Sequence, residues 1–194
     1  LEGVRADHLP AYGATGPSTP ALDALAEDGV VFDHAYAHSP ATLPAYTTML
    51  SGRLPFDTAV RDDAGFEARE TERMLAERLR DRGFLTGAVV SNYALRRDTG
   101  LAQGFAFFDD KWERTDETGV PVAAGTRLRR SADAAEAAAE RWLDGKDTWR
   151  LFLFLQIDGG QDAAAVTPGE QRETYDAGLE RSDRALGKLV RYLK

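Results

Sequence analysis

Leu151 to Ile157 reads Leu-Phe-Leu-Phe-Leu-Gln-Ile, apolar at nearly every position. A strand with one wet face alternates apolar and polar residues. This run does not alternate, so both of its faces are expected to be covered, as in a parallel sheet sandwiched by helices. A second apolar run, Phe84 to Val90, stops at Ser91-Asn92. Helical patterns lie between and around the two. Pro20 opens one, with Ser18 or Thr19 as cap and Leu22 and Leu25 facing inward up to Gly29. Val30-Val31-Phe32 follows as a short strand candidate. Residues 70–82 place Met74, Leu75 and Leu79 on one side and stop at Gly83. Ser131 to Leu143 is alanine-rich, with Ser131 as cap and Gly145 past its end. Thr167-Pro168-Gly169-Glu170 reads as a capping box. The helix after it sets Tyr175, Leu179, Leu186, Leu189, Val190 and Leu193 along one side. Such strand–helix alternation predicts an α/β layered domain with a mostly parallel sheet.

Composition narrows the class. The 194 residues fit one domain or part of a larger one, and 43% hydrophobic with 29% charged residues is a soluble, globular balance. A net charge of −8 argues against a general nucleic-acid or anionic-membrane surface. It leaves an anionic substrate open, because a bound metal ion reverses the field locally. There is no cysteine, hence no disulfide or thiolate chemistry. No apolar run approaches the roughly 18 residues of a membrane span, and no signal peptide is visible.

Thr42-Leu-Pro-Ala-Tyr-Thr-Thr-Met-Leu-Ser-Gly-Arg53 carries the chemistry. Pro44 suits a first helical turn, Leu43, Met49 and Leu50 can supply a buried side, and Gly52 is a stop. Thr42 then stands at a helix N-terminus. There it can serve as a plain N-cap. Equally, its oxygen can attack a sulfate or phosphate group held by the free amides, once a metal or base takes its proton. In parallel α/β sheets ligands gather beyond the carboxyl ends of the strands. The start of the chain, Ser91-Asn92 and Asp158-Gly159-Gly160 would deliver side chains there.

These twelve residues resemble the signature of the sulfatase family, within the alkaline phosphatase superfamily: Cys/Ser-x-Pro-Ser/Thr-Arg, three residues, Leu-Thr-Gly-Arg. Thr42 takes the nucleophile position, with Pro44, Leu50, Ser51, Gly52 and Arg53 in register, and Tyr46 replaces the arginine. Thr42 is neither the cysteine nor the serine converted to formylglycine. The resemblance therefore implies direct attack by a Thr alkoxide and no formylglycine. Glu2-Gly3-Val4-Arg5-Ala6-Asp7-His8-Leu9 looks like the family's Asp-Thr-Leu-Arg-Ala-Asp-His-Leu, with Glu2 replacing the metal-binding aspartate. Asp7 and His8 read as loop-orienting residues. Thr19–Ala26, Val90–Asn92, Gly100–Phe105, Phe108–Asp110 and the Tyr175–Leu189 region also resemble family stretches, in the expected order.

The resemblance implies an alkaline phosphatase-like α/β/α sandwich over residues 1–194, the N-terminal portion of the family's catalytic domain. It implies a divalent cation (Ca, Mn, Mg or Zn) held by Glu2 and a small anionic ester as substrate; Asp158, which matches no family ligand position, is an additional candidate donor. Arg53 and Asn92 are the candidate substrate-side residues. A periplasmic or extracellular setting is compatible with the family. Of the three histidines, His34 and His38 read as strand or loop side chains. The family's His-x-x-Asp-Pro-His pattern becomes Gln156-Ile157-Asp158-Gly159-Gly160, and its Asp-His-Gly segment is not in this span. Three functions follow as expectations. They are metal-dependent hydrolysis of sulfate or phosphate esters, transfer of a phospho-headgroup, and an inactive sulfatase-like binding domain.

Overall fold

The computed structural model describes residues 1–112, 130–147, 150–159 and 168–194. The chain divides into two compact units. One comprises Leu1–Ala35, Ser131–Arg141 and Gln156–Lys194, the other Tyr36–Arg130 and Trp142–Leu155. Six α-helices are described: α1 (Pro20–Asp28), α2 (Thr42–Ser51), α3 (Pro55–Thr58), α4 (Leu75–Arg80), α5 (Ala132–Leu143) and α6 (Pro168–Leu193). Three strands accompany them: β1 (Leu85–Val89), β2 (Phe107–Asp109) and β3 (Leu151–Leu155). The α/β class and the parallel sheet expected from the sequence are both observed.

The second unit is built on that sheet, of order β2-β1-β3 and parallel throughout. Gly87 stands opposite Phe107 and Leu153, and Ala88 opposite Phe108 and Phe154. Because side chains alternate along a strand, this register sorts the two faces. Ala88, Phe108 and Phe154 join a core with Leu43 and Leu50 of α2, Met74, Val60, Leu95 and Leu101. On the opposite face Phe107 stacks on Trp142, at 5.8 Å between centroids. Gly87 makes room for that indole: a Cβ there would lie 2.5 Å from a ring carbon of Trp142. The bare residue in the central strand is a packing requirement.

In the first unit α1 lies on α6. Thr19 is the N-cap of α1, as its position suggested, but its side chain makes no capping bond. Asp183 of α6 caps instead, accepting from the amides of Ala21 (3.1 Å) and Leu22 (2.9 Å). This carboxylate is fully buried, and the helix amides supply the hydrogen bonds that burial demands.

Several local expectations are corrected. Residues 70–82 give only a short helix, α4, because Met74 turns inward as its N-cap while Leu75 stays largely exposed. Val30-Val31-Phe32 pairs with no strand among the described residues and is exposed, and Leu25 and Leu193 also face outward. In α2 Met49 is exposed and Thr47 takes the inner position, because Thr47 falls in step with Leu43 and Leu50 on the core side. Thr167, the cap residue of the expected box, lies outside the described residues. Ser131 does cap α5, accepting from Ala134 N at 3.3 Å.

Glu136 of α5 is buried, one helical turn from Glu140. Burial and the adjacent Glu140 carboxyl push its pKa up to about 7, against the pull of Lys188. The folded state therefore holds this proton more tightly than the unfolded chain does. The stabilisation is complete below the ordinary glutamate range and is lost as pH rises through about 7. Glu136→Gln should flatten the pH dependence of the urea midpoint between pH 5 and 8 and raise that midpoint at pH 8.

Candidate functional site

The signature segment folds into α2, with Thr42 as its first helical residue. The N-cap is Ala41, which has no side-chain oxygen, so the capping role open to Thr42 is not the one it plays. Gly52 ends the helix in the left-handed region (φ 73°), and its amide donates to Thr48 O at 2.8 Å. Thr42 is half-buried, and behind it Leu43 and Pro44 are buried in the core. The reactive position thus stands on a firmly packed turn.

The expected set of free amides is not assembled there. Leu43 N donates to the Asp63 carboxylate at 2.7 Å. Pro44 has no N–H, and Ala45 N already bonds Ala41 O at 3.3 Å. None of the three residues after Thr42 therefore offers an amide to an anion. Asp63 lies 20 residues beyond Leu43, and no local pattern announced it.

Arg53, two residues past the end of α2, is held by a buried partner. Its Nη1 donates to Glu72 Oε1 at 3.0 Å and Oε2 at 2.7 Å. The Glu72 side chain is 4% exposed and that of Arg53 is 49% exposed, so the pair anchors the exit of α2 while the guanidinium keeps a wet side. Asn92 follows β1 and caps the turn at Tyr93–Leu95, its Oδ1 accepting from Ala94 N at 3.0 Å. Beside it, the carbonyl of buried Ser91 receives bonds from Arg130 N (3.0 Å) and Trp112 Nε1 (3.2 Å).

In the other unit the structure brings Glu2 and Asp158 together. They form an isolated parallel bridge, with Glu2 N on Ile157 O and Gly159 N on Glu2 O, each at 2.8 Å. Buried Gln156 donates from Nε2 to Glu2 Oε2 at 2.6 Å and sets the orientation of that carboxylate. Gly159 permits the approach, since a Cβ there would meet Glu2 O at 2.6 Å. The loop after Glu2 is tied to α6. Tyr175 Oη donates to Gly3 O (3.0 Å) and accepts from Arg5 N (2.8 Å). Burial pushes that phenol's pKa up, so it remains a donor. His8 Nδ1 meets Asp176 Oδ1 at 2.7 Å and rests edge-on against Tyr175. His8 acts on the loop, as its sequence context suggested, and Asp7 pairs with Arg5 in the same loop. His34 and His38 are exposed.

The donor chemistry suits a hard divalent cation in kind: carboxylate oxygens, one already oriented by an amide. It falls short in number. Among the described residues no three His, Cys, Asp or Glu side chains converge, whereas a cation takes four or more ligands.

Comparison with known proteins matches the whole span, residues 1–194, to the sulfatase family model. The chain belongs to the sulfatase family. An N-acetylgalactosamine-6-O-sulfatase of Bacteroides thetaiotaomicron is 34% identical over 88 residues, 42% of this chain and 17% of that protein. An alkaline phosphatase-superfamily protein from Vibrio parahaemolyticus superposes with a TM-score of 0.68 at 18% identity, over 96% of this chain and 47% of its own. The C-terminal periplasmic domain of EcEptC from Escherichia coli, solved with Zn, gives 0.66 at 13% identity, over 100% and 57%. These likenesses establish an alkaline phosphatase-like fold, and the chain spans about half the length of the solved structures it matches. Among the described residues no helix is long and apolar enough to cross a membrane.

Arg53→Ala should leave the Glu72 carboxylate buried without its partner. A loss of about 1–2 kcal/mol is expected in urea denaturation, moderated by the exposure of Arg53. Arg53→Lys should recover only part of it, because an ammonium replaces the planar guanidinium fork.

Proposed function

We propose that this sulfatase-family chain carries the nucleophile and part of the metal site of a hydrolase acting on small sulfate or phosphate esters. The observation that carries the reading is Thr42 at the first position of α2, on a turn buried behind it and braced at its exit by Arg53–Glu72. Thr42 Oγ bonds to sulfur or phosphorus as the bond to the ester oxygen breaks, and its proton passes to solvent or a base. The alcohol departs with the electron pair and takes up a proton. Water then cleaves the Thr42 ester, releasing sulfate or phosphate and restoring the hydroxyl. Glu2 and Asp158 would hold the divalent cation, with Gln156 fixing the Glu2 carboxylate. A bound cation supplies the Lewis acidity that lowers the hydroxyl pKa and offsets charge on the ester oxygens. The Zn of the EcEptC domain and the sulfated sugar named for the Bacteroides relative support this choice of cofactor and substrate class.

Two other readings rest on particular observations. The Glu2/Thr42 combination resembles the headgroup-transferase branch, in which an alcohol takes the place of water in the second step. The shortage of converging donors favours a binding domain without turnover. An assay of aryl sulfates, phosphate monoesters and phosphodiesters with the full-length protein separates these readings. Thr42→Ala should abolish turnover while the variant stays folded, with a loss of about 1 kcal/mol or less in urea denaturation. A fully active variant rejects Thr42 as nucleophile. Chelation should remove activity and divalent metal restore it; failure to bind metal selects the binding-domain reading.

A further inference from the structure

A carboxylate from another part of the chain stands next to the Thr42 turn. Asp63 Oδ1 lies 2.7 Å from the Leu43 amide nitrogen, which is bonded directly to the Thr42 carbonyl carbon. Standard bond lengths put this carboxylate within roughly 8 Å of the Thr42 hydroxyl. The contact occupies the first amide after Thr42, and the next two residues offer none. Arg53, the nearest cation to α2 in sequence, is already paired with Glu72. Within this unit, then, the Leu43 amide and the Arg53 guanidinium each bond a carboxylate, and the Asp63 charge stands close to the proposed nucleophile.

A sulfate monoester and a phosphodiester each carry one negative charge. A phosphate monoester carries nearly two at pH 8, since its second pKa is about 6. At a separation near 8 Å and an effective dielectric of about 20, each additional charge on the ester meets repulsion equal to a rate factor of roughly thirty. Asp63 also fixes the turn from which Thr42 projects.

We propose that Asp63 is a positioning and specificity residue: it holds the Thr42 turn through Leu43 and biases the site toward singly charged esters, over phosphate monoesters. This rests on the reading of Thr42 as nucleophile.

Asp63→Asn separates charge from geometry, because the amide oxygen can still accept from Leu43 N. In the metal-loaded full-length protein, kcat/KM is measured for an aryl sulfate, an aryl phosphate monoester and a phosphodiester. At pH 8 the D63N change should raise the monoester-to-sulfate ratio roughly thirtyfold and leave the phosphodiester-to-sulfate ratio in place. At pH 5, where the phosphate monoester has gained a proton, the monoester shift should shrink. If D63N does not fold, D63S supplies a neutral cap acceptor for the same measurement. An unmoved monoester ratio, or an equal rise for the phosphodiester, overturns the charge selection even when Thr42→Ala is inactive. No turnover of any ester by the wild type, or a fully active Thr42→Ala, overturns the nucleophile reading itself and this proposal with it.

Discussion

The pairing of β1 with strands on both sides is the constraint on which the second unit depends. Once Gly87 stands between Phe107 and Leu153, and Ala88 between Phe108 and Phe154, the two faces of the sheet are sorted. A shift of one residue would turn Phe108 and Phe154 away from the core shared with α2 and bring their neighbours into it. The indole of Trp142 allows no such slip, because it fills the space left by the missing side chain at Gly87. Leu43, Leu50 and Tyr46 pack α2 into this same core, Tyr46 against Phe154 at 5.7 Å. The register of the sheet thereby fixes the helix that presents Thr42.

Carboxylates from distant parts of the chain finish what the helices begin. Asp183 satisfies two amides of α1, and Asp63 satisfies one of α2. In each case the local cap candidate, Thr19 or Thr42, does something else. An ionised acceptor forms a stronger bond with a helix amide than a hydroxyl does, and it also meets the positive end of the helix dipole. For α1 the result is structural, since Asp183 is buried. For α2 it bears on chemistry, because the satisfied amide adjoins the proposed nucleophile.

Much of the architecture was legible in the sequence. The apolar run Leu151–Ile157 and the Ser91-Asn92 stop after Val90 located β3 and β1, and Ser131 with Gly145 bracketed α5. The signature at Thr42–Arg53 pointed to the sulfatase family, and the family match over residues 1–194 agrees with it. Less legible were segments whose burial depends on partners. Val30-Val31-Phe32 has the composition of a strand, yet a strand needs a neighbour, and none pairs with it among the described residues. Met49 and Thr47 exchange their expected places because the core is reached along the Leu43–Leu50 line.

The sequence by itself determined the period of each element, its stops and the order of chemical residue types, because those follow from neighbours one to four positions apart. It thereby determined that Thr42 would begin a helix and that Glu2 and Asp158 would lie beside strand segments. Only the tertiary structure decided who satisfies whom. The bridge between Glu2 and Asp158, the hold of Gln156 on Glu2, the Arg53–Glu72 pair and the Asp63 bond to Leu43 join residues 19 to 156 positions apart. Such pairings follow from burial, which leaves each polar group to find whichever partner the packed chain brings within reach.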